Sequence, residues 1–267
     1  MVNLLIAAAL ASATPVPPPS STSTAEPALF VVRNAQTTIY IFGTFHALDG
    51  KSQWFGRKIR AAFEDSGELV LETVIPEQPT NAPRPAAVLT PLPITPSASF
   101  LATTRMAINA GRAQGMQVDN GADMVLRHVA ECEGKQVEGL ETLQLQINMF
   151  NQIPPSSSPP RDIAAPSRIE TTTQIESLSK AMADLQSAWK RGDQSVFVKM
   201  LSELKAASPK TYQMMFTERN ARWADWVRAR MQTPGTVFVA VGAGHLAGPD
   251  SLLVRLAERG IPSARVN

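Results

Sequence analysis

Thr236-Val237-Phe238-Val239-Ala240-Val241 carries no polar residue after its first position. A strand with one wet face alternates apolar and polar side chains, whereas a run without alternation suits a strand covered on both faces, inside an α/β sheet. This run ends in Gly242-Ala243-Gly244-His245. A second β-branched and aromatic run, Thr38-Ile39-Tyr40-Ile41-Phe42, ends in the same way, in Gly43-Thr44-Phe45-His46. Each segment reads strand, Gly-x-x-His, turn. The echo is weak, but it is what two related halves would leave, and it puts both histidines at carboxyl ends of strands, where open α/β sheets build their sites.

The rest of the chain alternates in a compatible way. Leu29 to Arg33 and Thr37 to Phe42, separated by Asn34-Ala35-Gln36, have the composition of a hairpin. Gln53 to Asp65 spaces Trp54, Phe55, Ile59 and Phe63 close to helical period, and Ser66-Gly67 closes it before a short strand, Glu68 to Thr73. Helices are expected at 98–111 and 119–134, with Val137 to Leu140 as a strand. Ile175, Leu178, Met182, Leu185 and Trp189 recur at three- and four-residue steps up to Lys190-Arg191-Gly192, the firmest helix in the chain. Asp193 is placed to cap the next helix, which carries Val196, Phe197, Met200, Leu201 and Leu204. Ser208-Pro209 opens a third, running to about Met231, and Met214-Met215 within it are expected to pack in the core. Pro249-Asp250 opens a final helix that Gly260 ends, and Pro262 to Val266 can return to the sheet. The expected fold is therefore α/β: a central, mostly parallel or mixed sheet with helices on both faces.

Two stretches resist regular structure. Pro76, Pro79, Pro83, Pro85, Pro91, Pro93 and Pro96 make 76–97 a long excursion, and Ile153 to Pro166 is again rich in proline and serine. At the amino end, Leu4 to Ala11 is apolar, too short to span a bilayer, and followed by small residues resembling a cleavage site near Ala11 or Ala13. It lacks the usual basic lead-in. Residues 1–13 are expected to be a signal peptide, 14–27 a Pro/Ser/Thr-rich tether, and 28–267 one domain, exported to the periplasm or secreted. No other apolar run approaches membrane length, so stable membrane insertion is not expected.

A net charge of +2 without a long Lys/Arg cluster argues against nucleic acid as a partner. The single cysteine, Cys132, excludes an intrachain disulfide and a cysteine-based zinc site; it reads as an inert helix residue.

The chain holds three histidines, and two of them occupy the repeated strand-end setting. A glycine at a strand end permits a sharp turn and close backbone approach, so an imidazole can be presented at the sheet rim to ligate a metal or move a proton. For either residue alone, the competing reading is a histidine satisfied by a neighbouring loop. His128, in mid-helix, is expected to be solvated or satisfied locally. Glu72 sits at the end of its strand, where it can converge with His46 if their strands are neighbours. Two histidines and a carboxylate form a credible divalent-metal set, with positions left for water. Nearly equal weight falls on Glu72 simply accepting backbone or arginine hydrogen bonds. Glu141 is a further candidate carboxylate, although the adjacent Thr142 suggests a helix cap as readily. Arg219, on a helix with Asn220 and Trp223, can stabilise an oxyanion or hold a substrate carboxylate, but an ordinary helix-surface salt bridge is the preferred reading from sequence.

Ile41-Phe42-Gly43-Thr44-Phe45-His46, Leu69-Val70-Leu71-Glu72, Gly139-Leu140-Glu141-Thr142 with Gln146, Arg219-Asn220-Ala221-Arg222-Trp223 and the tail Val241 to Asp250 together resemble the TraB/GumN family. That family is related in fold to Tiki-type, ChaN-type and erythromycin-esterase-type proteins, and the resemblance runs over roughly 29–266. The resemblance implies a site in which both Gly-x-x-His histidines cluster with a glutamate. Tiki-type members, described as metal-dependent proteases, would make His46, Glu72 and His245 associates of manganese, cobalt or zinc. Peptide or another amide or ester would then be the substrate, with Glu72 or Glu141 moving the proton and Arg219 steadying negative charge. Erythromycin-esterase-type members imply instead a metal-free hydrolase with a histidine base. ChaN-type members imply iron or haem binding without turnover, or a regulatory, peptide-binding role. The proline-rich 76–97 stretch departs from the family pattern.

Overall fold

The computed structural model describes residues 25–74, 111–152 and 168–266. Six strands form one mixed sheet: β1 Leu29–Arg33, β2 Thr37–Thr44, β3 Glu68–Thr73, β4 Gln136–Glu141, β5 Gly235–Gly242 and β6 Ala264–Arg265, in the order β4-β3-β5-β2-β1-β6. The four strands from β4 to β2 run parallel, while β1 pairs antiparallel with both β2 and β6. The expected hairpin is therefore present, and the carboxyl-terminal return reaches the sheet as a two-residue edge strand.

The helices are α1 Arg57–Glu64, α2 Ala122–Cys132, α3 Leu143–Asn151, α4 Arg168–Lys190, α5 Ser195–Ala207, α6 Pro209–Tyr212, α7 Glu218–Arg230 and α8 Leu252–Ala257. The unalternating β5 explains the layering. Its Phe238 and Ala240 enter one apolar cluster with Phe63 of α1, Leu126 of α2, Trp189 of α4 and Phe197 of α5. Its Val237, Val239 and Val241 enter a second with Trp223 and Val227 of α7 and Leu252 and Leu256 of α8. Period-two alternation thus feeds two cores, one on each face, and every residue from Val237 to Val241 is at most 1 % exposed.

Several local expectations shift. The first helix begins at Arg57, with Trp54 stacked on Phe42 and Phe55 meeting Phe63 edge-on ahead of it. The helix expected from Asp119 is preceded by a short 3-10 turn, Val118–Asn120. Asp193 accepts the Ser195 amide at 2.9 Å as a cap would, although Gln194 occupies the cap position itself. Ser251, and not Pro249-Asp250, caps the last helix by accepting the Val254 amide. The segment opened by Pro209 reaches Arg230 through a π-helical turn, Gln213–Thr217, which leaves Met214 and Met215 half-buried instead of in the core. His128 is exposed, as expected, and Cys132 is a free, exposed cysteine. The expected leader and tether through residue 24, the 76–97 excursion, residues 98–110 of the helix expected at 98–111 and the 153–166 stretch lie outside the described residues. Among the described residues no helix is long and apolar enough to cross a membrane.

Candidate functional site

All four parallel strands deliver one side chain to the same rim. His46 follows β2, Glu72 lies in β3, Glu141 ends β4 and His245 follows β5. The strands of His46 and Glu72 are not neighbours, the condition under which convergence was expected; β5 runs between them. The two side chains converge because the last residue of β5 is Gly242. A β-carbon there would lie 3.1 Å from His46 Nε2, 3.2 Å from Glu72 Oε1 and 3.8 Å from His245 Cδ2. The absence of a side chain at Gly242 is thus what lets the three groups approach one point.

Arg219 binds the rim together from the second core face. It is 3 % exposed, so the helix-surface salt bridge preferred from sequence is corrected: this arginine points inward. Its Nε donates to both Glu141 oxygens at 3.1 and 3.0 Å, its NH2 donates to Glu72 Oε2 at 2.6 Å, and its NH1 stands 3.3 Å from His245 Nε2. A guanidinium is planar and always charged, which lets one side chain satisfy two buried carboxylates in fixed directions. Arg222 adds a 3.1 Å bond to Glu141 from the solvent side. Glu141 therefore has both oxygens engaged inside the protein. Thr142 meanwhile caps α3 by accepting the Leu145 amide at 3.2 Å, so the two readings of Glu141-Thr142 hold side by side.

Glu72 completes its shell by accepting the Gly242 N–H at 2.7 Å. Burial by itself would raise its pKa. The nearby positive charges and that N–H reverse the effect and lower it to about 2; since His245 is neutral except in strong acid, Arg219 and the protonated His46 are the cations that matter at working pH. His245 is 5 % exposed and packed between Phe216 and Trp223, whose ring centroids lie 4.9 and 4.4 Å away. Burial, with Arg219 and His46 adding to it against Glu72, lowers its pKa to about 3. His245 Nδ1 lies 2.7 Å from Asn220 Oδ1.

His46 differs in every respect: its side chain is 61 % exposed, and Asp123 Oδ1 lies 3.2 Å from its Nδ1. Desolvation opposes its charged form, but Asp123 and the more distant Glu72 outweigh it and raise the pKa to about 9. Asp123 was not singled out in the sequence. It sits in the first turn of α2, which docks on the strand end as the Ala122 amide donates to the Phe45 carbonyl at 2.9 Å. Gly121 allows the approach, since a β-carbon there would overlap the His46 carbonyl. The only sequence sign was an acidic residue just after Asn120-Gly121, which a helix start explains equally well.

A divalent ion on His46, Glu72 and His245 is what the resemblance implied, and the donor atoms do not fit it. Glu72 Oε2 is held by Arg219 at 2.6 Å, Oε1 has one of its lone pairs engaged by a backbone N–H, and His245 Nε2 faces Arg219 as well. A fixed guanidinium stands where the cation's charge would be needed, and repels it. Among the described residues no group of three or more His, Cys, Asp or Glu side chains is arranged to hold a metal ion.

Fold and site together define a class: an α/β protein whose parallel strands carry two carboxylates and two histidines to one rim around a buried arginine. The model of the TraB/PrgY/gumN family matches residues 28–91 and 83–265, nearly all of the domain, and the chain belongs to that family. No curated protein and no solved structure matches it.

Proposed function

We propose that the chain hydrolyses an amide or ester bond, in a peptide or a small molecule, at the space above Gly242. The observation that carries this reading is the convergence of His46 Nε2 and Glu72 Oε1 on one point beside Gly242, which has no side chain of its own. His46 presents Nε2 there with Asp123 behind Nδ1, and Glu72 presents an ionised Oε1. Water attacking a carbonyl at that point gives its proton to Glu72. His46, protonated at neutral pH, gives one to the departing nitrogen or oxygen, and solvent exchange returns both groups to their starting states. Arg219 and Glu141 do not touch the substrate in this scheme; they hold Glu72 ionised and in place. His245 is a fixed neutral acceptor and not the base, because burial keeps the proton off it.

Turnover of peptides and of activated esters by the full chain, with and without chelator, tests the proposal. Expected is turnover that survives the chelator, falls as pH rises through about 9, and drops roughly 10²-fold or more in His46→Gln. Turnover that requires added manganese, cobalt or zinc would restore the metalloprotease reading. A haem absorption band, or tight peptide binding without cleavage, would favour the iron-, haem- or peptide-binding alternative.

A further inference from the structure

Asn220 sits behind His245, away from the open point above Gly242, and its amide is oriented by a second contact. Asn220 Nδ2 donates to the Asp250 carbonyl at 2.8 Å, while Oδ1 lies 2.7 Å from His245 Nδ1. Turning the amide over would set Oδ1 against a carbonyl oxygen, two acceptors face to face, so Oδ1 is the atom that meets the ring. An amide oxygen only accepts, and His245 Nδ1 must then carry the proton. A neutral imidazole has one N–H, so Nε2 is bare, and Arg219 NH1, a donor, lies 3.3 Å from it.

We propose that Asn220 is a positioning residue that keeps the His245 proton on Nδ1, so that His245 anchors Arg219 instead of donating to Glu72. The competing arrangement is close at hand, because His245 Nε2 is only 3.8 Å from Glu72 Oε1. A proton on Nε2 would turn toward that carboxylate, confront Arg219 NH1 with a second donor, and engage the oxygen that the hydrolytic reading assigns to the attacking water. Asn220 removes the option by giving Nδ1–H a buried partner that Nε2–H could not use.

The support behind Asn220 is itself braced. The Asp250 side chain accepts from Lys205 of α5 at 2.9 Å and from the Tyr212 hydroxyl of α6 at 3.0 Å, and it pairs with Arg255 of α8. Phe216, projected from the π-helical turn, and Trp223 close the two faces of the ring. Three helices thus fix the carbonyl that fixes the amide that fixes the tautomer. The effect on turnover rests on the hydrolytic reading; the tautomer itself does not.

Nitrogen NMR of the full chain labelled with 15N-histidine reads the tautomer at neutral pH without any substrate. Replacing His46 and His128 in turn assigns the signals. Expected for His245 is a protonated, pyrrole-type Nδ1 and a bare, pyridine-type Nε2. Asn220→Leu removes the acceptor at similar size, and the pattern is expected to reverse or average. Asn220→Asp keeps an acceptor at that position, and Nδ1 is expected to stay protonated. A pyridine-type Nδ1 in the wild type overturns the proposal, as does an unchanged pattern in Asn220→Leu. Should Asn220→Leu fail to fold, the wild-type pattern remains decisive: a pyridine-type Nδ1 overturns the proposal. Because no substrate is involved, a correct tautomer in a chain that hydrolyses nothing would fault the functional reading alone.

Discussion

At the scale of single residues, Arg219 dominates. It pairs with both Glu72 and Glu141, whose side chains are 15 % and 2 % exposed, while its own is 4 % exposed. Removing one partner of such a cluster leaves charge buried without compensation, which costs about 3–5 kcal/mol. Arg219→Met is therefore expected to lower unfolding stability by about that much. Arg222→Ala, at a side chain 48 % exposed, should cost about 1 kcal/mol or less. Urea unfolding of both variants checks the contrast; equal losses would mean that the buried arginine is not what holds the two glutamates. That Glu72 accepts backbone and arginine hydrogen bonds was one of the two readings its strand-end position allowed, but that Arg219 is the arginine, and is buried, was not legible. A helical arginine is by default a surface residue, and Arg219-Asn220-Ala221-Arg222 offers no apolar period that separates the inward arginine from the outward one. Asp123 was hidden for a different reason: it meets His46 across 77 positions of chain, through a backbone docking that no local pattern announces.

The elements themselves were far more legible, because their signals are local. β5 announced burial on both faces by lacking alternation, and α4 announced itself through Met182, Leu185 and Trp189 at helical steps, ending as expected at Lys190. Strand order was not legible. Both Gly-x-x-His strands were placed at the rim, but only the sheet shows β5 lying between β2 and β3, so that Gly242 separates His46 from Glu72. That arrangement makes Gly242→Ala an informative change. The φ of Gly242 is −52°, which alanine adopts without strain, so the added methyl acts by volume alone. It is expected to push His46 and Glu72 apart and abolish most turnover while leaving the urea midpoint nearly unmoved. Gly121→Ala should differ: its methyl would meet backbone, so α2 and Asp123 must withdraw, and both His46's raised pKa and stability should fall. A histidine titration by proton NMR, beside urea curves for both variants, separates lost space at the site from lost docking of the helix.

For the whole molecule, the cluster sets how stability answers to acid. The unfolded chain protonates a histidine near 6.5, whereas folded His245 resists until about 3. It protonates a glutamate near 4.5, whereas folded Glu72 resists until about 2. Over both intervals the unfolded state binds more protons, so stability falls as pH falls, first through His245 and then through both. His46 acts on the other side: its folded pKa of about 9 contributes stability that is complete below 6.5 and lost as pH rises through 9, reduced by solvent around an exposed ring. The urea midpoint is accordingly expected to be highest near pH 6.5, to decline gently toward 9 and steeply toward 4. His245→Gln carries no proton to exclude, so its decline should begin only near pH 4.5, where Glu72 takes over. A wild-type midpoint flat between 6.5 and 4.5 would mean that His245 charges freely in the folded protein. In that case the neutral, proton-excluding ring on which Arg219 rests could not be the resting state of the site.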